Sequence, residues 1–185
     1  SNSEENYLKA VFYLTYKTSK GASTSALSHR LKTQASSVTD MVKKLAEKGL
    51  LNYKKYQGAI LTSRGKKIAI GIIRKHRLWE VFLVEKLSFK WDEVHDIAEQ
   101  LEHIHSRELI KRLDHFLEFP GFDPHGDPIP DEKGHIRERA KSILLVDLGL
   151  GVSGIIIGVK DSEDRFLRFL DAVLGKSLFY VKQHF

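Results

Sequence analysis

The chain has 185 residues, is 42% hydrophobic, contains no cysteine and carries a formal net charge of +6. Its length and apolar content support one or two packed domains, while the missing thiols exclude a disulfide framework or a thiolate metal site, and neither a membrane span nor a secretory pattern is visible. The charge is unevenly placed: Lys17–Arg77 holds fifteen Lys/Arg against only Asp40 and Glu47, and the chain from Leu78 onward is acidic by about the same reckoning.

Ser1-Asn2, without an initiator Met, reads as an expression remnant. Residues 4–18 place Tyr7, Leu8, Val11, Phe12 and Leu14 on a helical stripe, and Lys20-Gly21-Ala22 breaks it. Ser23-Thr24-Ser25 offers N-caps for a short helix ending near Leu31. A second helix, Ser36–Lys48, turns Val38, Met41, Val42 and Leu45 inward and stops at Gly49. Leu50–Lys54 and Ala59–Thr62 flank Tyr56-Gln57-Gly58 as a β-hairpin. Thr62-Ser63 opens a long helix to about Lys86, Trp91-Asp92-Glu93 another to about His105, and Ser106 a third to about Leu117. All four prolines fall in F-P-G-F-D-P-H-G-D-P-I-P, a rigid extended loop. Beyond it, Ser142–Val146, Gly154–Val159 and Ser177–Lys182 read as strands and Ser162–Val173 as a helix. So few strands cannot close a barrel, so the chain is expected to stop before that domain is complete.

Helix, helix-turn-helix, then hairpin is the order of a winged helix. In such a module the second helix of the motif enters the major groove. Gln34, Ser36, Ser37, Thr39 and Asp40 would stand near base edges, with Lys43, Lys44, Lys48, Lys54 and Lys55 on phosphates. A solvated basic face is the bland alternative, but here the charge coincides with capped helices and a hairpin in the right order.

Seven of the nine histidines lie between His76 and His135. His76 and Glu80, and His95 and Glu99, are each one helical turn apart, as are Glu99, Glu102 and His103. Imidazole and carboxylate without sulfur form a ligand set for a divalent first-row metal. Each histidine alone reads more readily as surface or hydrogen-bonded core.

R-K-H-R-L-W-E, then V-H-D-I-A-E-Q-L-E-H, then P-H-G-D-P-I-P, behind a winged helix, resembles the metal-dependent repressors of the diphtheria toxin repressor and manganese transport regulator (DtxR/MntR) family. The likeness runs over essentially the whole chain. It implies a mainly α fold in three parts: a winged helix-turn-helix DNA-binding domain (1–73), a helical metal-binding and dimerisation domain (74–141), and a partial SH3-like (FeoA-type) β domain (142–185). It implies one metal site at His76, Glu80 and His95, completed from the tail, with Asp161 favoured over Glu163 and Asp164. Asp123 and His125 match positions that some members recruit with the equivalent of Glu80. A second site matches Asn6, Glu99, Glu102 and His103. Asn6 departs from the Asp or Met of relatives, and Lys9 stands where some manganese members carry a ligating Glu. The donor set favours Mn(II), with Fe(II) open.

The resemblance further implies a cytoplasmic homodimer on a palindromic double-stranded DNA operator, acting as a metal-activated repressor of metal-uptake genes. Apolar residues such as Leu78, Trp79, Phe82, Leu109, Leu113 and Phe116 fit a dimer face. Metal would favour the DNA-competent arrangement. Two other readings compete: a winged-helix regulator sensing an organic ligand, and a metal-dependent hydrolase, for which no H-E-x-x-H signature exists.

Overall fold

In the computed structural model, the described residues are 1–16, 18, 20–138, 142–147, 149–150, 157–159 and 164–174. They divide into two compact units, Ser1–Arg74 with Glu132–Gly134, and Lys75–Asp131 with His135–Phe185.

In the first unit, helix α1 (Asn2–Thr15) buries Tyr7, Leu8, Val11 and Phe12, the stripe that its periodicity requires. Helix α2 (Thr24–Leu31) starts where the Ser23 hydroxyl accepts from the Ala26 amide at 3.1 Å. It ends at Lys32 in the left-handed region, and helix α3 (Ala35–Glu47) follows after a short turn. Val38, Val42 and Leu45 are fully enclosed on its inner face. Gly49, at φ +67°, closes α3: its amide bonds the Ala46 carbonyl at 2.9 Å, and the Leu50 amide bonds Leu45 at 3.0 Å. That paired closure is a Schellman motif, and it requires a residue at ease in the left-handed region.

Strands β1 (Leu51–Lys54) and β2 (Gly58–Leu61) pair antiparallel with Leu51 opposite Leu61 and Tyr53 opposite Ala59. The Ala22 backbone bridges to Ala59 on the other side of β2. This approach needs glycine at both Gly21 and Gly58, since a Cβ at either would collide with backbone of the other segment. Helix α4 (Ser63–Leu87) then begins behind the hairpin, with Ala69, Ile70, Ile72 and Ile73 buried.

The second unit takes the C-terminal half of α4, helix α5 (Val94–Leu101), helix α6 (Arg107–Phe116), the proline-rich loop and helix α7 (Asp164–Leu174). Its core is Leu78, Trp79, Val81, Leu83, Val94, Ala98, Leu113, Leu117 and Ile129. The Ser106 hydroxyl caps α6 by accepting from the Leu109 amide at 3.2 Å.

Three expectations are corrected. The helix expected over Trp91 to about His105 is shorter at both ends. Trp91–Glu93 forms a turn in which the Glu93 carboxylate accepts from the Lys90 amide, and the Ile104 amide reverts to a three-residue bond to Leu101. His103 therefore lies in a turn, not on the helix face. The strand expected at Ser142–Val146 is instead a single 3₁₀ turn at Leu145–Asp147. Ile143 and Val146 stay exposed, so the apolar run has no sheet to join and closes a local bond from Asp147 to Leu144. Residues 157–159 form no strand; the Val159 amide bonds the His125 carbonyl at 3.0 Å. The helix expected at Ser162–Val173 corresponds to α7. Asp161, Ser177–Lys182 and residues 154–156 lie outside the described residues, and among those described after residue 141 there is no strand.

Helix α4 contains two glycines in opposite circumstances. A Cβ at Gly65 would collide with the Leu50 carbonyl, whereas one at Gly71 meets nothing within 4 Å. Gly65→Ala is expected to lower stability by about 1–3 kcal/mol, and Gly71→Ala to raise it by about 0.5–1 kcal/mol. Urea unfolding of the two variants beside the parent checks the opposite signs.

Candidate metal centre and DNA-binding face

One face of α4 carries His76 and Glu80 inward, and both are buried. The Glu80 carboxylate is the point on which three imidazoles converge. His76 Nε2 lies 2.9 Å and His95 Nδ1 3.4 Å from Glu80 Oε1, and His125 Nδ1 lies 3.7 Å from Oε2. The far nitrogens of His76 and His125 are hydrogen-bonded separately, and that of His95 points towards a carboxylate. His76 Nδ1 meets Glu102 Oε2 at 2.7 Å, His125 Nε2 donates to the Trp91 carbonyl at 2.9 Å, and His95 Nε2 faces Glu99 Oε1 at 3.8 Å. An acceptor on the outer nitrogen orients an imidazole and frees its inner nitrogen as a ligand. The His125 ring also stacks on Trp91, with centroids 5.9 Å apart.

Among the described residues, two groups of His, Asp and Glu bring their ligand atoms mutually within 4.8 Å: His76, Glu80 and His95, and Glu80, Asp123 and His125. Both contain Glu80. Asp123 is buried in the proline-rich loop, where one oxygen accepts from the amides of His125 and Asp127, each at 2.9 Å. Its other oxygen faces Arg77 Nε at 3.4 Å. Donors are nitrogen and oxygen only, and the buried carboxylates Glu80, Glu102 and Asp123 outnumber the one buried guanidinium, Arg77. This chemistry suits a hard or borderline divalent cation.

Ionisation follows from these contacts. Burial opposes the charge on Glu80, but His76, His125 and His95 outweigh it and hold the carboxyl well below the usual carboxylate range. Burial, then the nearby Glu80 charge, pushes Asp123 up to about 7 against the pull of Arg77. Burial also works against a charged His125, yet its hydrogen bond and charge pairing with Glu80, joined by Asp123, raise it to about 9.

The second set from the sequence is arranged differently from the first. Glu102, completely buried, turns to His76, and His103 Nε2 stands 3.8 Å from its other oxygen. Glu99 reaches towards His95. Asn6 belongs to the first unit, where its carboxamide oxygen is buried without a hydrogen-bond partner. Lys9 is buried in the same helix. Sequence reasoning missed Arg77, which also bonds the Pro128 carbonyl at 2.5 Å, and the Trp91 carbonyl. Arg77 sits inside the R-K-H-R-L-W-E motif and was recoverable as the buried cation next to a ligand. A backbone carbonyl leaves no trace in a sequence.

In the first unit, Gln34 occupies the N-cap of α3, and Ser36, Ser37, Asp40, Lys43 and Lys44 lie exposed along it. Thr39 is half-buried and bonds its hydroxyl back to the Ala35 carbonyl at 2.9 Å. Lys54 ends β1 and Lys55 lies in the turn, its ammonium 5.2 Å from the Tyr56 ring. Lys44 and Lys48 are both paired with Glu4 of α1.

The sequence matches two family profiles, "iron dependent repressor, N-terminal DNA binding domain" over residues 1–59 and "iron dependent repressor, metal binding and dimerisation domain" over residues 62–131. The HTH-type transcriptional regulator MntR of Oceanobacillus iheyensis is 34% identical over 142 residues, 76% of this chain and 93% of that one. The iron-dependent repressor IdeR of Mycobacterium leprae is 34% identical over 125 residues, 68% of this chain and 49% of that one. The chain thus spans about half the length of the curated iron-dependent repressors it matches. A solved manganese-dependent transcriptional repressor in complex with manganese superposes with a TM-score of 0.81 at 37% identity, covering 95% of this chain and 80% of that one.

An ion entering between Glu80, Asp123 and His125 must displace the protons those groups hold. With His125 near 9 and Asp123 near 7, affinity rises with pH. The expected gain is about tenfold per pH unit between 7 and 9, and steeper below 7, where a second proton joins. Calorimetric titration of Mn(II) in buffers of different ionisation enthalpy measures the protons released per ion. Binding without proton release excludes this group as a ligand set.

Proposed function

The chain belongs to the iron-dependent repressor family of metal-dependent transcriptional regulators, and on that premise we propose that it represses metal-uptake genes when Mn(II) or Fe(II) binds. The observation that carries this reading is the convergence of three imidazoles on buried Glu80, two of which, His76 and His125, are hydrogen-bonded elsewhere through the outer nitrogen. A regulator sensing an organic ligand would need no such arrangement. Family membership also leaves the hydrolase reading without support.

His76, Glu80 and His95 would hold one ion, and Asp123 and His125 offer further ligands around the same carboxylate. The bound ion would supply the positive charge that these carboxylates lack. Glu102 would keep His76 oriented, and the Trp91 carbonyl would do the same for His125. The resemblance implies a second ion site of Asn6, Glu99, Glu102 and His103, with Asn6 standing where relatives carry Asp or Met. Asp161 is kept as the tail ligand to the first site. Nitrogen and oxygen donors without sulfur favour Mn(II), while the affinity order keeps Fe(II) in competition.

His76 and Glu80 stand on α4, the helix that begins directly behind the hairpin. An ion joining α4 to α5 thereby acts on the element that leaves the winged helix, and it shifts the population towards the DNA-binding state. Lysines of α3 and the hairpin would meet phosphates, and Gln34 to Asp40 would meet base edges.

The homodimer is proposed to form through an apolar groove on α4 and α6, lined by Trp79, Phe82, Leu109, Leu113 and Phe116 and rimmed by Glu108, Lys111 and Arg112. Two copies imply a palindromic operator with half-sites spaced by whole helical turns. No helix among the described residues is long and apolar enough to cross a membrane, and a cytoplasmic location is proposed with the rest. The domain limits at about residues 73 and 141 and the SH3-like tail remain part of this proposal.

The test is DNA binding by metal-stripped protein, titrated separately with Mn(II), Fe(II) and Zn(II), on duplexes selected from a random pool by the metal-loaded protein. Binding is expected to depend on metal and to vanish with chelator. Glu80→Gln should abolish the response, and Glu102→Gln should weaken metal affinity about 10–100-fold by removing the partner of His76. DNA binding that ignores both chelator and metal would sink the proposal.

A further inference from the structure

The recognition helix does not present all its lysines free. Lys44 lies in the last turn of α3 and Lys48, one turn on, is its C-cap. Both reach Glu4 Oε1 in the first turn of α1, with Nζ at 3.0 Å and 2.6 Å. The Glu4 side chain is only 12% exposed, whereas the two lysines are 53% and 48% exposed. A single shielded carboxylate oxygen therefore faces two ammoniums at the solvent edge. A carboxylate held between two ammoniums is charged at any working pH. Lys43, beside Lys44, has no ion-pair partner among the described residues.

Resting on the reading that α3 binds DNA, we propose that Glu4 competes with DNA phosphate for Lys44 and Lys48 and so sets the discrimination between operator and random DNA. In the free protein the carboxylate occupies the place a phosphate would take. An exposed ion pair shifts an equilibrium by less than about tenfold, so the lysines are held in reserve and are not locked. On random duplex, phosphate attraction is essentially the whole of the binding, and the exchange against Glu4 weakens it. On an operator, base-edge contacts from α3 add to the phosphate contacts and drive the exchange to completion. The two lysine classes are thereby distinct: Lys43 contributes to any duplex, Lys44 and Lys48 mainly to the specific one.

The experiment measures fluorescence-anisotropy titrations of a random-sequence duplex with Mn(II)-loaded protein across a series of salt concentrations. Glu4→Gln retains a side-chain acceptor at the third position of α1 and removes only the charge. It is expected to bind random duplex about three- to tenfold tighter near 0.1 M salt. Its plot of log K against log salt should steepen by up to about 1.8, about 0.9 for each newly contacted phosphate. Adding Lys44→Gln and Lys48→Gln to Glu4→Gln should cancel the gain. Glu47→Gln, an equal change of charge on α3 itself, should give none of comparable size. Unchanged or weaker binding by Glu4→Gln, or an equal gain from Glu47→Gln, overturns the proposal. If Glu4→Gln does not fold, Lys44→Gln/Lys48→Gln in the parent decides: it should cost random-duplex affinity less than Lys43→Gln alone, and a larger loss overturns it. Wild-type protein that binds no duplex with any metal would instead remove the DNA-binding reading itself.

Discussion

A buried carboxylate on α4 sets the terms for the second unit. Glu80 is almost fully enclosed, and an isolated charge there would carry a desolvation cost of several kcal/mol. The fold meets that cost by bringing imidazoles from three places: α4 itself, α5 and the proline-rich loop. Each of these segments is then fixed by its own outward contact. Protons can satisfy the cluster in the metal-free state, and a divalent ion can replace them. The same constraint explains the short α5. Its end delivers Glu102 to His76, with the Lys75 ammonium on the following Ile104 carbonyl at 3.3 Å.

The first unit depends on a different constraint, the close approach of backbone around β2. Gly21, Gly58 and Gly65 each sit where a side chain would strike a neighbouring main chain. The hairpin is thereby held between the segment at Ala22 and the start of α4. The wing itself carries little hydrophobic anchoring of its own, because only Leu51 and Ala59 on its strands are buried. Position, not stability, is what this small sheet supplies. It holds Lys54 and Lys55 out at the tip beside the helix that carries the other cations.

Local chemistry made the first unit legible in the sequence. A serine cap, an apolar stripe, a glycine stop and a glycine-containing turn each act over a few residues, so they can be read in order. The pairing of His76 with Glu80 was legible for the same reason: residues four apart are neighbours on any helix. Pairings that depend on tertiary approach were not. Spacing placed Glu102 with Glu99 and His103, whereas packing of α5 on α4 turns it to His76. Nothing local signals that Lys48 would meet Glu4, 44 residues away. The strand expected at Ser142–Val146 failed for a third reason. Its apolar run has the composition of a strand, but strand formation needs a partner, and Ile143 and Val146 find none among the described residues.

Asp123 shows where the two demands on the centre meet. Its carboxylate is engaged by two amides of its own loop and by Arg77, which also approaches Asp127. That environment is already complete for a structural aspartate. Yet burial, then the like charge of Glu80, pushes it up to about 7 against the pull of Arg77 and His125. Two anions and one guanidinium in a buried corner leave negative charge uncompensated unless His125 is protonated or a cation enters. A ligand atom without this competition would bind metal at any occupancy of the first position. Asp123 is different: an ion taken up there would share its carboxylate with Arg77, which in turn holds the Pro128 carbonyl. An ion beside Asp123 would therefore bear on the proline-rich loop as well as on the helices. Because Glu80 belongs to both groups of converging ligand atoms, ions held at the two would be coupled through a single side chain.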